Sequence, residues 1–126
     1  MKREWLAVGL LIAMIALASW HVVTLDGLTG ELGDLLAQAE QMAEQGNWEG
    51  AAQMTQKASE RWDSQHFYLH ATLEHNVTDQ IATSFAETLE FLQCQEAGEY
   101  SAANARLMEQ LELLAEMEKP LLENLL

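Results

Sequence analysis

The chain has 126 residues, a length that admits one small domain at most. Its 20 Asp and Glu against 6 Lys and Arg leave a net charge of -14, which argues against a nucleic-acid partner, because a phosphate-binding surface needs clustered cations. One Cys excludes an intrachain disulfide scaffold, and an apolar content of 49% is too high for a disordered tail.

After Met1-Lys2-Arg3-Glu4 the sequence carries no Asp, Glu, Lys or Arg from Trp5 to Leu25. A helix of that length spans roughly 31 Å at about 1.5 Å per residue, which matches one hydrocarbon core. Lys2 and Arg3 favour keeping the near end in the cytoplasm, and Trp5 and Trp20 stand near the two ends, where indole rings partition to the headgroup level. Residues 1–25 are therefore expected to be a single-pass membrane anchor that touches the lipid bilayer through residues 5–25. The N-terminus would be cytoplasmic and the rest extracytoplasmic. The main alternative is a secretory signal cleaved after Ala16-Leu17-Ala18, which would leave the remainder secreted. A buried helix of a soluble protein is a third reading. All of the net negative charge lies beyond Gly27, so the exported part is expected to stand off anionic headgroups, although the acidity serves solubility equally well.

Asp26-Gly27-Leu28-Thr29-Gly30 reads either as a linker, residues 26–30, or as a weak spot in one long helix. From residue 31 to 126 nothing resembles a strand, and the helix formers Glu, Gln, Ala, Leu and Met dominate. A first helix is expected over Glu31 to Gln45, with the stripe Leu32, Leu35, Leu36, Ala39, Met42 and Ala43. Gly46-Asn47 ends it, and Asn47 is placed to cap a second helix with the stripe Trp48, Ala51, Ala52, Thr55, Ala58 or Ser59, and Trp62. Residues 63–75 suit either a continuation or a bent connection. Asn76 and Asp79 have the spacing of a capping box for a third helix, which points Val77, Ile81, Phe85, Thr88, Leu89 and Leu92 inward and reaches about Ala97 before Gly98 breaks it. A fourth helix is expected from Tyr100 to about Glu118, with Ala103, Leu107, Leu111, Leu114 and Ala115 inward, and Lys119-Pro120 marks a new start or a kink.

Glu44 to Ala51 lines up with Glu96 to Ala103, so that Gly46 matches Gly98 and Trp48 matches Tyr100. The pattern resembles the helix-turn-helix corner of tetratricopeptide repeats, but the spacing is not their period of roughly 34 residues. The expected fold class is all-α: an N-terminal transmembrane helix followed by a small bundle of about four antiparallel helices, arranged as two hairpins.

Few side chains suggest chemistry. His66, His70 and Glu74 recur every fourth residue and share a face if the segment is helical, a donor set that can hold zinc and leave a position for water. The bland reading makes them boundary polar residues, with His75 anchoring a turn. Glu109, Glu112 and Glu116 line a helix face that ordinarily meets water. Cys94 has no nearby His and is expected to be a small buried residue beside Phe91, with bridging of two chains as the rival. No nucleophile elbow, phosphate loop or dinucleotide fingerprint is present, so no catalytic residue and no cofactor are assigned. Trp48, Trp62, Phe67, Tyr68 and Tyr100 are the interaction or core anchors. Trp48, Trp62 and Tyr100 fit a core, and either Phe67 or Tyr68, being adjacent, is left for exposed contact.

The order of these landmarks resembles a domain-of-unknown-function family of short single-anchor membrane proteins from Firmicutes, some of them from sporulating species. The resemblance rests on Gly46-Asn47-Trp48-Glu49, Trp62, the isolated His75 and the tail Leu122-Glu123-Asn124-Leu125-Leu126. Asn47 stands where an acidic residue resembles the family pattern better, and Glu74 where a basic residue is common. The resemblance implies an uncharacterised envelope protein without an established activity. With the anchor, it leads to a structural or protein-interaction module in the cell or spore envelope, bound to an unknown protein partner or to itself. The alternative is a metal-binding or sensing domain that uses His66, His70 and Glu74.

Overall fold

The computed structural model describes residues 2–65, 68, 69, 71, 73 and 75–125, and of residues 120–125 the backbone alone. Among the described residues it has four long helices: α1 (Lys2–Glu44), α2 (Trp48–Asp63), α3 (His75–Gln93) and α4 (Ala97–Leu125). Each packs on its neighbour in the chain, and α1 packs on α4 to close the ring. Pairings between Arg61 and Glu31, between Ser84 and Gln110, and between Ser101 and Glu40 make every adjacent pair antiparallel. The expected all-α bundle is therefore present, but the anchor and its first helix are one element.

Two readings stood open at residues 26–30, and the helix runs straight through them. The energetics explain why. Gly27 and Gly30 each cost about 1 kcal/mol of helix propensity relative to Ala. Against this, Leu25, Leu28 and Leu32 are fully buried, each contributing about 1.5–3 kcal/mol. Thr29 adds a hydroxyl bond to the Asp26 carbonyl at 3.2 Å. Packing thus overrides local propensity, and α1 reaches 43 residues, roughly 64 Å.

Only the second half of α1 has company. Leu25, Leu28, Leu32, Leu36, Ala39 and Ala43 form a stripe that the other helices cover. By contrast, Lys2 to Met14 are all exposed, with Trp5 at 78%. Among the described residues α1 is the one helix long and apolar enough to cross a membrane, and none of its most apolar stretch is buried. The soluble-core reading fails on that observation, because a core helix of such composition would be covered. We call the end of the bundle from which the bare helix emerges the basal end, and the other the distal end.

The core falls into two clusters. The basal one is built of large side chains, among them Leu32, Leu36, Trp62, Leu69, Ile81, Phe85, Leu107 and Leu111. The distal one is built of Ala39, Ala43 and Ala51 with Leu92 and Tyr100, and half-buried Trp48 leans on it. Between them each of three helices contributes a fully buried polar residue: Thr55, Thr88 and Asn104. The Thr88 hydroxyl donates to the Ser84 carbonyl at 2.8 Å, and the Asn104 amide donates to the Leu36 carbonyl at 3.1 Å. Thr55 Oγ1 and Asn104 Oδ1 find no hydrogen-bond partner among the described residues. Such a layer costs stability and penalises helix registers that would bury it against Leu.

At the distal end two turns repeat one pattern. In the first, the Gly46 N–H donates to the Ala43 carbonyl and the Asn47 N–H to that of Met42; in the second, Gln95 donates to Leu92 and Glu96 to Phe91. These are the paired bonds of a Schellman stop, which needs a left-handed residue. Gly46 supplies it with φ +82°, and Gln95 with φ +56°. The structural equivalent of Gly46 is therefore Gln95, not Gly98. Gly98 has an ordinary φ and lies inside α4, so the expected alignment of the two glycines is corrected. Asn47 caps α2 as expected, accepting from the Gly50 N–H at 3.0 Å. A side chain at Gly50 would run into that cap, its Cβ meeting the Asn47 side-chain amide.

Two further boundaries move. α2 stops at Asp63, and its stop is fixed by the Ser64 N–H on the Glu60 carbonyl at 2.9 Å. The connection then drops Leu69 into the basal core, with Tyr68 and Leu73 packed beside it, so it bends rather than extends α2. At the other end α4 does not stop near Glu118 but continues through Pro120 to Leu125. The lost proline N–H removes one bond near the end of a long helix. Meanwhile Glu118 and Lys119, just before it, are tied to α1.

Candidate functional site

The basal end gathers the unusual polar chemistry. His21 on α1, Tyr68 on the connection and Glu118 on α4 meet in space. His21 Nδ1 is hydrogen-bonded to the Tyr68 hydroxyl, and His21 Nε2 lies 3.4 Å from Glu118 Oε2. With Nδ1 accepting the phenol proton, the imidazole carries its own proton on Nε2, the nitrogen nearer Glu118, without an aligned hydrogen bond to the carboxylate. Burial, and then the Glu118 charge, push the Tyr68 hydroxyl above its ordinary pKa, so it stays a donor. Trp20 stands edge-on to Tyr68 with ring centroids 5.6 Å apart, and is 57% exposed on its other side. Nearby, Lys119 Nζ lies 3.6 Å from Asp26 Oδ1, a second tie between α4 and α1.

Below this cluster a cleft of about 430 Å³ opens against the bare helix. Met14, Leu17, Ala18 and Trp20 form its apolar wall, and His21, Tyr68 and Glu118 its polar end. Among the described residues the cluster holds hydrogen-bond acceptors and aromatic rings but no Ser or Cys nucleophile. It can bind and orient a polar group.

The expected sites are scattered. Trp62 and Tyr100 are buried as core anchors and Trp48 is half-buried; Trp62 is tilted onto Phe85 and Trp48 meets Tyr100 edge-on, in different clusters. His75 is exposed at the first residue of α3, where its carbonyl accepts from the Thr78 hydroxyl at 2.9 Å. His66, Phe67, His70 and Glu74 lie outside the described residues. Among the described residues no group of three His, Cys, Asp or Glu could hold a metal ion. Cys94 is exposed, which corrects the expectation of a buried thiol: it follows the end of α3, where the chain turns outward. Local desolvation, Glu90 and Glu96 push its thiol above the ordinary range.

Tyr68 was an expected contact residue, but its meeting with His21 and Glu118 was not foreseen. The members of this site stand 47 residues apart in one pair, so no local spacing announces them. The available signal was His21 itself, a titratable group at the edge of an otherwise apolar run, which asks for a partner.

Fold and site together define an acidic four-helix bundle carried on a protruding apolar helix. The chain matches DUF4363, a domain of unknown function, over residues 19–125, and belongs to that family. No curated protein matches the chain, and no solved structure does either.

Proposed function

We propose that the chain is a membrane-tethered interaction module of a bacterial cell or spore envelope, as the resemblance to Firmicutes anchor proteins suggests. Its N-terminus is cytoplasmic and its bundle extracytoplasmic. One observation carries this reading: the first half of α1 is apolar and uncovered, while the second half of the same helix is built into the bundle core. Tethering raises the local concentration of the bundle near membrane partners, or near further copies of itself, without a catalytic step.

Cys94 makes the test direct, since it is the chain's one cysteine and is exposed. In intact cells a membrane-impermeant maleimide is expected to label it, and the full-length chain should stay in the pellet after alkaline carbonate extraction. Labelling that requires permeabilisation reverses the orientation. Recovery of a chain lacking residues 1–18 replaces the anchor with a cleaved signal. The metal alternative has its own assay, zinc titration of the intact chain, where uptake lost on His70→Ala would revive it.

A further inference from the structure

The cleft below the His21–Tyr68–Glu118 cluster lies on the part of α1 that crosses from bundle to bare helix. Its apolar wall of Met14, Leu17, Ala18 and Trp20 belongs to the stretch assigned to the bilayer, so its mouth faces acyl chains rather than water. Its polar residues all stand at the end nearer the bundle, where headgroups would be. A volume of about 430 Å³ falls in the range of small-molecule sites, roughly 300–1,000 Å³. Such a split between apolar wall and polar end suits one amphiphile lying along the helix.

The polar end also selects a charge. One Glu118 oxygen lies 3.4 Å from His21 Nε2, and the carboxylate has further acceptor capacity. Trp20 and Tyr68 line the same cleft, and an aromatic face attracts an ammonium group. Around them the domain is strongly acidic, so an anionic headgroup is repelled. We propose that this cleft binds one phosphatidylethanolamine molecule, its ammonium on Glu118 beside the two rings and an acyl chain along Leu17 and Met14. The assignment rests on the reading of α1 as a retained anchor.

The test uses the full-length chain in mild detergent, with phosphatidylethanolamine or phosphatidylglycerol added in equal amounts and bound lipid counted by native mass spectrometry. One phosphatidylethanolamine per chain is expected, with phosphatidylglycerol held about tenfold less well. Glu118→Gln should lower phosphatidylethanolamine retention about tenfold, the loss of one charge-assisted bond. Trp20→Leu keeps the wall apolar and should lower retention about threefold. Glu99→Gln, the same charge change at the distal end, should leave retention unchanged. Equal binding of the two lipids, Glu118→Gln binding like the parent, or a cleft filled by a second copy in lipid-free dimers overturns the proposal. If Glu118→Gln loses helicity, Trp20→Leu decides. A parent chain released by alkaline carbonate defeats the anchor reading itself, whereas a chain retained in membranes but indifferent to headgroup defeats the lipid site alone.

Discussion

The two ends of the bundle solve different problems with different residues. The distal end has two short turns of one design, small Ala contacts and a Trp48–Tyr100 pair. The basal end has the α2–α3 connection, large Leu, Phe and Trp side chains, and a polar cluster made from three distant parts of the chain. A turn that faces water can be specified locally, by one capping side chain and one left-handed residue. An end that must hold a protruding apolar helix upright has to be specified by packing. The heavy core therefore sits where α1 would otherwise lever the bundle open.

That contrast predicts unequal responses to mutation. Phe85→Ala, in the basal cluster, should cost about 3–5 kcal/mol through lost burial and the cavity left behind. The distal alanines leave little to truncate, so the comparable insult at their contacts is overpacking: Ala39→Leu should cost about 1–3 kcal/mol. Urea unfolding of the full chain in detergent, followed by helical circular dichroism, measures both. Equal losses at the two ends would erase the distinction.

Tyr100 sharpens it further. The residue is 2% exposed, and its hydroxyl finds no partner among the described residues. Burial, then the charges of Glu40 and Glu44, push its pKa well above the ordinary value near 10. The folded chain then keeps a proton that the unfolded chain releases above about pH 10, so stability falls as pH rises beyond that point. Tyr100→Phe should gain about 1 kcal/mol at neutral pH by removing an unsatisfied hydroxyl, and should flatten the alkaline decline. Tyr68 is raised in the same direction, so part of the decline should persist in the variant. Unfolding curves at pH 8 and above check both statements.

The stripes Leu32–Leu36–Ala39–Ala43 and Ala103–Leu107–Leu111–Leu114 were legible because burial of one helix face imposes its period on the sequence. The continuity of α1 was not, since Gly27 and Gly30 signal a break locally and the burial that overrules them is tertiary. The second turn was misread for a related reason. Glycine is the usual marker of a left-handed stop, and the chain places a glycine, Gly98, near the turn but uses Gln95 for the stop itself. Asn104 follows Ala103 of the expected stripe without belonging to it, and only the assembled bundle reveals that it is enclosed. The site at the basal end was illegible because His21, Tyr68 and Glu118 share no segment.

The smallest expected effect tests the likeness of the two distal turns. An L side chain in the left-handed region costs about 1–2 kcal/mol, a cost that glycine escapes. Gly46→Ala should therefore destabilise by about 1 kcal/mol, although a Cβ there meets open space, because the penalty is conformational and not steric crowding by neighbours. Gln95→Gly makes the converse change in the equivalent position. It relieves the strained φ but adds freedom to the unfolded chain, so the net gain should be a few tenths of a kcal/mol, below 1. If instead Gln95→Gly destabilises while Gly46→Ala does so too, Gln95 makes a side-chain contact that outweighs its backbone strain. The two turns would then be alike in hydrogen bonding only, with the second held by tertiary contact as the basal end is.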